Sequence, residues 1–335
     1  MKKILIVGAG FSGAVIAREL AEANYDVTVI DKRNHIAGNC YDYINEYGIR
    51  IHKYGPHVFH TNNKKVVDWL AKFGTWKHFE LNVKAQLSDG SYVTFPLKKS
   101  EADQWTDEDI VNTFFKPYSE KMWGVPFEQL NKNIISRIPK RLDDSEDYFP
   151  NDEYKMLPID GYTRIFENIF DHKNITVSLN TEFDKYLEQD YDHVFNSMAI
   201  DEYFNYCYGE LPYRSLKFNN VTLPMTRVLP SHTVNFTHTG KYTRIVEWKN
   251  WDHHGENPHY TTLSYEEPCD YKDNNMERYY PIKDLEGLNR KIYNKYKSMV
   301  SNNMTFIGRC GKYVYIDMHQ AISSALTIAK KFINI

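Results

Sequence analysis

One segment near the N-terminus constrains the fold more than any other. Ile4-Leu5-Ile6-Val7 is a short, wholly apolar run, which is the pattern of a buried parallel strand. It leads into the glycine motif GAGFSG at 8–13, and apolar residues at helical spacing follow. A second apolar run, 27–30, ends just before Asp31. This order of strand, glycine turn, helix and strand predicts a β-α-β unit that binds a dinucleotide.

The residue types of the motif suit this chemistry. Gly8 permits a tight turn, Gly10 lets a pyrophosphate approach the backbone, and Gly13 lets the helix pack closely on the strand. The free N–H groups at the helix N-terminus attract phosphate. Asp31 can accept hydrogen bonds from ribose hydroxyls. The motif therefore predicts a bound ligand and not only a turn.

The continuation of the chain indicates which dinucleotide. Asp31 is followed by Lys32, a second glycine turn at Gly38 and Asn39, and then a loop before the segment 49–61. An NAD domain usually continues directly into another β-α-β unit. The order found here resembles FAD-binding proteins of the glutathione-reductase type, so the predicted cofactor is FAD.

The remaining segments predict an α/β protein whose Rossmann-like FAD-binding domain is discontinuous, with an inserted helical domain and an antiparallel β-sheet domain. Thr106 and Asp109 form a capping box ahead of a helical region. A last helix is expected to start near Asp317. Three domains follow from these patterns: an FAD-binding domain (1–75, 190–209 and 300–335), a helical substrate domain (101–147) and a sheet domain (76–100, 148–189 and 210–299).

Composition excludes several classes of function. The 335 residues carry 41 Lys+Arg against 44 Asp+Glu, without the basic excess of a nucleic-acid-binding protein. No run of about 18 apolar residues predicts a membrane span. The four cysteines form no CxxC pair, and the histidines at 253, 254 and 259 lack spaced Cys or carboxylate partners, so no metal site is predicted. A reducing, cytoplasmic location is expected.

Longer blocks of the sequence resemble the bacterial UDP-galactopyranose mutase family. They keep the family's order along almost the whole chain and comprise 31–39 (DKRNHIAGN), 52–62 (HKYGPHVFHTN), 118–124 (YSEKMWG), 137–141 (RIPKR), 213–218 (YRSLKF), 242–245 (YTRI), 279–281 (YYP), and 308–309 (GR) with 315–320 (YIDMHQ). The resemblance implies an FAD enzyme, active when its flavin is reduced, that interconverts the pyranose and furanose forms of a nucleotide sugar. The reaction proceeds through an adduct between flavin N5 and the sugar, without net redox change.

The same resemblance implies the partners. They are a nucleotide-sugar substrate, with a UDP-hexose as the default, and an external electron donor that reduces FAD; a homodimer is possible. The product would be a galactofuranose donor for cell-surface polysaccharide biosynthesis.

The resemblance also implies the substrate-side residues. Arg141 and Arg244 resemble the pair that reaches the diphosphate when a mobile loop closes, and with His57 they are the predicted catalytic residues. The predicted substrate-binding residues are Asn82, Tyr118, Ser119, Trp123, Tyr154, Arg214, Asn235, Tyr280 and Tyr315.

On the flavin side, Arg309 resembles the residue on the FAD pyrophosphate, and His57 resembles the histidine against the isoalloxazine ring. The helix starting near Asp317 would stabilise anionic reduced flavin with its N-terminal partial positive charge. The predicted cofactor-binding residues are Gly8, Gly10, Phe11, Ser12, Gly13, Asp31, Lys32, Gly38, Asn39, His57, Val58, Arg309, Asp317, Met318, Ala321, Ile322 and Ser323.

Two departures from the family leave the sugar open. Met122 stands where the family has Gln, and an acidic stretch at 142–147, interpreted as a solvated loop, follows Arg141. An N-acetyl, 6-deoxy or dTDP-linked sugar is therefore an alternative to UDP-galactose. Two other functions compete: an FAD-dependent oxidoreductase of the amine-oxidase type, and a flavin-bearing scaffold. The predicted arginines distinguish the mutase from an oxidase, because an oxidase has no substrate diphosphate for them to bind.

Overall fold

The computed structural model describes residues 1–129, 141, 143–284 and 286–334, and four β-sheets organise this part of the chain. Its strands are β1 (Lys3–Val7), β2 (Asp26–Ile30), β3 (Asp42–Ile44), β4 (Arg50–His52), β5 (Phe59–Thr61), β6 (Trp76–His78), β7 (Val83–Gln86), β8 (Tyr92–Thr94), β9 (Tyr154–Pro158), β10 (Ile175–Ser178), β11 (His193–Asn196), β12 (Tyr213–Leu223), β13 (Thr233–Phe236), β14 (Arg244–Glu247), β15 (Thr261–Asp270), β16 (Tyr280–Pro281) and β17 (Met304–Phe306). Its α-helices are α1 (Phe11–Glu22), α2 (Lys64–Leu70), α3 (Lys99–Ala102), α4 (Asp107–Ile110), α5 (Lys116–Trp123), α6 (Tyr162–Phe170), α7 (Ile200–Tyr203), α8 (Leu288–Lys297), α9 (Gly308–Gly311) and α10 (Met318–Ile333).

The N-terminal strand lies at the centre of a parallel sheet, as its apolar run predicts. The strand order is β10-β2-β1-β11-β17, and each neighbouring pair is parallel. Ile4 and Ile6 pack in the cluster that contains α1 and α10, whereas Leu5 and Val7 face a second cluster with residues of α8. The β-α-β prediction is confirmed: α1 begins at Phe11, directly after the glycine turn.

One part of the parallel sheet comes from a segment that the sequence assigned elsewhere. Residues 148–189 were expected in the antiparallel sheet domain, but β10 pairs with β2 and α6 packs on α1. The reason is the apolar face of α6: Ile165, Phe166 and Ile169 are at most 2% exposed, and the rings of Phe166 and Phe11 are 4.5 Å apart. A helical stripe of this kind needs a helix surface to cover it.

The largest sheet has seven strands in the order β16-β12-β15-β14-β13-β7-β8. Its pairs are antiparallel, as predicted, except that β7 and β13 are parallel, with Val83 opposite Thr233. The long ribbon of β12 and β15 gives the sheet its length. The two smaller sheets are β5-β9-β6 and β3-β4.

The segment that follows β8 contains the short helices α3, α4 and α5. Thr106 caps α4 and accepts a hydrogen bond from the backbone N–H of Asp109 at 3.1 Å, so the predicted capping box is confirmed. The predicted helical region also includes residues 130–136, which lie outside the described residues. None of the described helices combines the length and the apolar character needed to cross a membrane.

Helix α5 is fixed at both of its sides. The Lys121 ammonium donates hydrogen bonds to the carbonyl oxygens of Phe236, His238 and Tyr242 at 2.9–3.1 Å. The Arg214 guanidinium donates to the carbonyl oxygens of Met122 and Lys121, at the C-terminal end of the helix. Cations at this end of a helix satisfy free carbonyls and oppose the helix dipole.

The glycine turn yields a test of the fold. A Cβ added at Gly13 would lie 2.0 Å from the Gly8 carbonyl oxygen, whereas one added at Gly10 would lie 3.6 Å from the Gly38 Cα. We expect Gly13→Ala to lower the free energy of unfolding by about 1–3 kcal/mol through overpacking. Gly10→Ala, the matched control, should cost less than about 1 kcal/mol as a helix N-cap change. Urea unfolding measures both, and equal stability of the two variants would contradict this packing.

Candidate active site

A cavity of about 890 Å³ brings the glycine turn and the seven-stranded sheet together. One wall consists of residues of the motif 8–13, with Asp31 and the second turn at 37–40. The opposite wall includes Asn235, Arg244 and Glu266 from β13, β14 and β15. A ligand in the first half would therefore lie next to a ligand in the second half.

The first half of the cavity has the geometry of a phosphate cradle. Gly8 has φ +103°, and its N–H donates to the Ile30 carbonyl at 2.8 Å, which makes the tight turn. No side chain caps the N-terminus of α1, so its N–H groups stay available for an anion. Asp31 closes the turn, because its carboxylate accepts hydrogen bonds from the N–H groups of Ala9 (2.8 Å) and Arg33 (2.9 Å).

The two glycine turns meet at the floor of this cradle. Gly38 has φ +54°, and a Cβ there would lie 2.9 Å from the Gly10 Cα, so position 38 requires glycine for the turns to approach so closely. Backbone without side chains next to a helix N-terminus is the surface that a dinucleotide pyrophosphate requires. The cradle therefore fits the predicted FAD.

The far end of the cradle is closed by helix α10. Asp317 is its N-cap, and Met318 and Ala321 line the cavity. The sequence predicts that this helix starts near Asp317, and the structure confirms this start. Its N-terminal partial positive charge faces the cavity and favours a negative group there.

The cavity lining contains most of the predicted cofactor residues. These are Gly8, Gly10, Phe11, Ser12, Gly13, Asp31, Lys32, Gly38, Asn39, His57, Val58, Arg309, Asp317, Met318 and Ala321. The structure does not bring the other two to it: Ile322 is buried in the hydrophobic core, and Ser323 lines a shallow surface pocket. Ile322 lies one helical turn beyond Met318, where the helix packs into the core, and Ser323 is rotated toward the outer side of the helix.

Arg309 lies between the two halves of the site. Its guanidinium donates to the carbonyl oxygens of Tyr279 (3.0 Å) and Ile316 (2.7 Å). It also lies 5.3 Å and 4.8 Å from the ring centroids of Tyr280 and Tyr315, which stack on each other. Among the described residues no carboxylate forms a salt bridge with Arg309, so its charge remains available to an anion.

The second half of the cavity is organised around Arg244. Its Nε lies 2.9 Å from the Glu266 carboxylate, and its Nη2 donates to the Tyr118 hydroxyl at 2.7 Å. Glu266 is only 2% exposed. Burial raises the pKa of Glu266, and the Arg244 charge opposes that rise. The carboxylate thus fixes the guanidinium at the cavity wall, close to the Tyr280 and Tyr315 rings.

Arg141 is buried beside this region but does not line the cavity. It is 8% exposed, and in the described part of the chain none of its three guanidinium nitrogens has a hydrogen-bond partner. Residues 137–140 of the predicted loop block lie outside the described residues. A buried guanidinium without a partner is costly, so an anionic partner for Arg141 is expected.

The structure places the other predicted substrate residues at varying distances from the cavity. Tyr118 reaches it through Arg244, and the Trp123 ring lies 6.4 Å from Tyr280, in an edge-on arrangement. Asn235 lines the cavity itself. Ser119 is buried in α5, and Arg214 binds the end of that helix.

Asn82 and Tyr154 also lie outside the cavity lining. The backbone N–H of Asn82 donates to His232 Nδ1, and Asn82 forms an isolated bridge with Asp147. Tyr154 is part of β9 and lies beside Glu153 and Lys64. Neither residue lines the cavity.

Sequence reasoning missed two residues that line the cavity. Tyr148 lies near Arg244 and Tyr118, and its hydroxyl is buried so that its pKa is raised. The only sequence feature that could have indicated Tyr148 is its position, six residues before the predicted substrate residue Tyr154. Glu266 could have been found, since β15 alternates and Glu266 pairs with Arg244 across the antiparallel strands.

The acidic stretch after Arg141 is not entirely solvated, contrary to its interpretation as a loop. Asp143 and Asp144 are exposed, but Asp147 is 4% exposed and pairs with Lys155 at 2.5 Å. A buried carboxylate requires a cation, and β9 supplies it. Among the described residues, no three His, Cys, Asp or Glu side chains are arranged to hold a metal ion.

A chain of hydrogen bonds beneath the cavity fixes His57. The backbone N–H of His57 donates to His52 Nδ1 at 3.1 Å, so the His52 proton is on Nε2. That Nε2 donates to His254 Nε2 at 3.0 Å, and His254 Nδ1 donates to the Asp252 carbonyl at 2.8 Å. His57 Nδ1 donates to the Gly55 carbonyl at 2.7 Å. One set of neutral tautomers satisfies all four bonds.

These buried histidines yield a prediction about pH. Burial lowers the pKa of His57 and of His254 to about 4, and that of His52 well below its usual value. A histidine in the unfolded chain ionises near pH 6.5, so the unfolded state binds more protons between those values. Stability is therefore fully present above pH 6.5 and is lost as pH falls toward 4. Urea unfolding should show a decrease of a few kcal/mol from pH 7 to pH 4.5.

The variant His254→Gln tests the assignment, because glutamine accepts the hydrogen bond from His52 without titrating. Its stability should depend less on pH than that of the wild type. The exposed His78→Gln variant is the control and should keep the full dependence. If the stability of His254→Gln depended on pH as strongly as that of the wild type, the assignment of His52 and His254 as a buried, neutral pair would be contradicted.

Comparison with known proteins shows which family the chain resembles. The family model of UDP-galactopyranose mutase matches residues 113–315, and that of an NAD(P)-binding Rossmann-like domain matches residues 6–73. A dTDP-fucopyranose mutase of Escherichia coli is 33% identical, over 100% of this chain and 99% of that protein. A probable UDP-galactopyranose mutase of Klebsiella pneumoniae is 33% identical, over 99% and 95%.

A crystal structure of reduced UDP-galactopyranose mutase has the same fold. Its TM-score is 0.76 at 16% identity, with coverage of 100% of this chain and 96% of the other. The dinucleotide cradle, the match over most of the chain and the full-length relatives agree. The chain belongs to the UDP-galactopyranose mutase family of flavin-dependent mutases, with FAD as its cofactor.

Proposed function

We propose that this protein interconverts the pyranose and furanose forms of a nucleoside-diphosphate hexose, with its FAD reduced by an external electron donor. The observation that carries the proposal is the position of Arg244. Its guanidinium, partly exposed to the cavity, lines the same cavity as the Gly8–Gly13 cradle, so it can bind a second anion beside the one that the cradle holds. A flavin oxidoreductase of the amine-oxidase type does not need a second anion site.

The reaction requires a nucleophile at the anomeric carbon and a stable leaving group. Reduced FAD supplies a nucleophilic nitrogen, so the protein needs no Ser, Cys or carboxylate nucleophile. Arg244 binds the diphosphate, whose negative charge grows as the C1–O bond breaks. The stacked rings of Tyr280 and Tyr315 line this end of the cavity beside the Arg309 guanidinium.

His57 has a defined role in this scheme. It is neutral because burial lowers its pKa to about 4, and its Nδ1 proton is held by the Gly55 carbonyl. Its Nε2 is then a hydrogen-bond acceptor and not a cation. The positive charge at the flavin comes instead from the N-terminus of α10, which favours an anionic reduced ring.

The substrate is a hexose linked to UDP or dTDP. Two relatives, one a probable UDP-galactopyranose mutase and one a dTDP-fucopyranose mutase, have names that differ in both base and sugar. UDP-galactose is the first candidate substrate, because the family is named for a mutase that acts on UDP-galactopyranose. The dTDP-linked 6-deoxy sugar is the second.

The decisive experiment is a turnover assay with oxidised and dithionite-reduced protein. The panel contains UDP-galactose, UDP-N-acetylgalactosamine and dTDP-fucose, and chromatography separates pyranose from furanose products. We expect turnover of at least one of these only by the reduced protein, since nucleophilic attack needs a reduced flavin. Equal turnover by oxidised protein, or no turnover of any sugar, would contradict the function.

Replacing Arg244 tests the diphosphate site. We expect Arg244→Ala to lose at least about 100-fold in kcat/KM, because one such donor is worth roughly 2.7–4 kcal/mol in the transition state. Flavin content should be unchanged, since Glu266 can take up a proton when its partner is removed. Arg244→Lys should recover only part of the loss, because a point charge does not reproduce paired hydrogen bonds.

The control for this variant is Arg164→Ala, a surface arginine paired with Glu167. It should retain normal kinetics and flavin content. Near-normal kcat/KM in Arg244→Ala, or loss of flavin together with activity, would show that Arg244 has another role.

A further inference from the structure

Strand β13 presents two buried polar atoms to the cavity that have no protein partner. In the described residues, Thr233 Oγ1 and Asn235 Oδ1 make no hydrogen bond. Both residues line the cavity, and Thr233 is only 2% exposed. A buried polar atom left unsatisfied costs about 1–3 kcal/mol, and such atoms are rare in folded proteins. A bound ligand is the natural partner.

The register of the sheet places these atoms relative to Arg244. Positions 233 and 235 are on the same face of β13, roughly 7 Å apart at two residues of strand rise. Asn235 is opposite Arg244, whereas Thr233 is opposite Val246, two pairs further along the strands from the arginine. A group that contacts Thr233 therefore extends beyond the diphosphate that Arg244 binds.

The surroundings of Thr233 are otherwise apolar. Val83 is opposite it on β7, and Leu81, Val83 and Trp251 line the same part of the cavity. A threonine hydroxyl both donates and accepts a hydrogen bond. A hexose can use both features, because the C–H face of its ring packs against apolar side chains while one of its hydroxyl groups bonds the threonine.

We propose that Thr233 Oγ1 binds a hydroxyl group of the sugar ring and thereby helps to select the sugar. The inference rests on the proposed function, because it assumes that a nucleotide sugar occupies the second half of the cavity. It adds a specificity-determining residue at the sugar, distinct from the arginine at the diphosphate. The nucleotide alone does not reach Thr233.

The test is Thr233→Val, which removes the hydroxyl and keeps the shape. The probe is the nucleotide sugar that the wild type turns over in the panel above, compared with the matching free nucleoside diphosphate. Titration calorimetry with the flavin-loaded protein should show roughly 3- to 10-fold weaker binding of the sugar nucleotide, from the loss of one hydrogen bond. Binding of the nucleoside diphosphate should be unchanged.

Two further variants control for structure. Thr233→Ser keeps a hydroxyl and should restore most of the affinity. Thr222→Val removes a hydroxyl that bonds Thr262 elsewhere in the same sheet and should change neither affinity. Monodeoxy analogues of the sugar complete the set: for one of them, wild type and Thr233→Val should bind equally.

The outcomes separate the two proposals. If the wild type neither binds nor turns over any nucleotide sugar, the proposed function fails and this inference fails with it. Suppose instead that the wild type binds and turns over a nucleotide sugar. If Thr233→Val then keeps the wild-type ratio between its affinities for the sugar nucleotide and for the nucleoside diphosphate, only this inference is overturned. A loss of flavin content or a shifted flavin reduction potential in Thr233→Val, with that ratio unchanged, would assign the hydroxyl to the flavin and also overturn it.

Discussion

The close approach of two glycine turns is the constraint on which the rest of the site depends. The backbones of Gly10 and Gly38 approach so closely that a Cβ at Gly38 would lie 2.9 Å from the Gly10 Cα. Their contact forms the floor of a dinucleotide cradle between the ends of α1 and α10. His57 and residues of the seven-stranded sheet line the same cavity, so a cofactor held in the cradle would lie near them.

Charge in the cavity follows a simple arrangement. Arg244 is neutralised by Glu266, so this pair positions a guanidinium without adding net charge. Arg309 lies against carbonyl oxygens and rings, and among the described residues it forms no salt bridge. Two anionic groups, one on the cofactor and one on the substrate, complement these cations. Pairs of hydrogen bonds from planar guanidinium groups suit both phosphates.

Local patterns predicted the parts of the fold that local physics decides. The apolar run before Gly8, the glycine spacing and the cap at Asp317 each have one favourable structure, and all three are found. Long-range packing decided the rest: nothing local places β10 beside β2, and nothing local makes β7 parallel to β13. In the site, the resemblance named Arg244, but its partner Glu266 and the unsatisfied Thr233 emerge only from strand register and burial.

The flavin content of Gly10→Val tests the central claim most directly. The claim is that a cofactor pyrophosphate occupies the space beside the Gly10 backbone, so a branched side chain there should displace it. We predict that the purified variant lacks flavin absorbance, while urea unfolding shows a cooperative fold like that of wild-type protein stripped of its cofactor. A Gly10→Val protein that is purified with one flavin per chain would contradict the account.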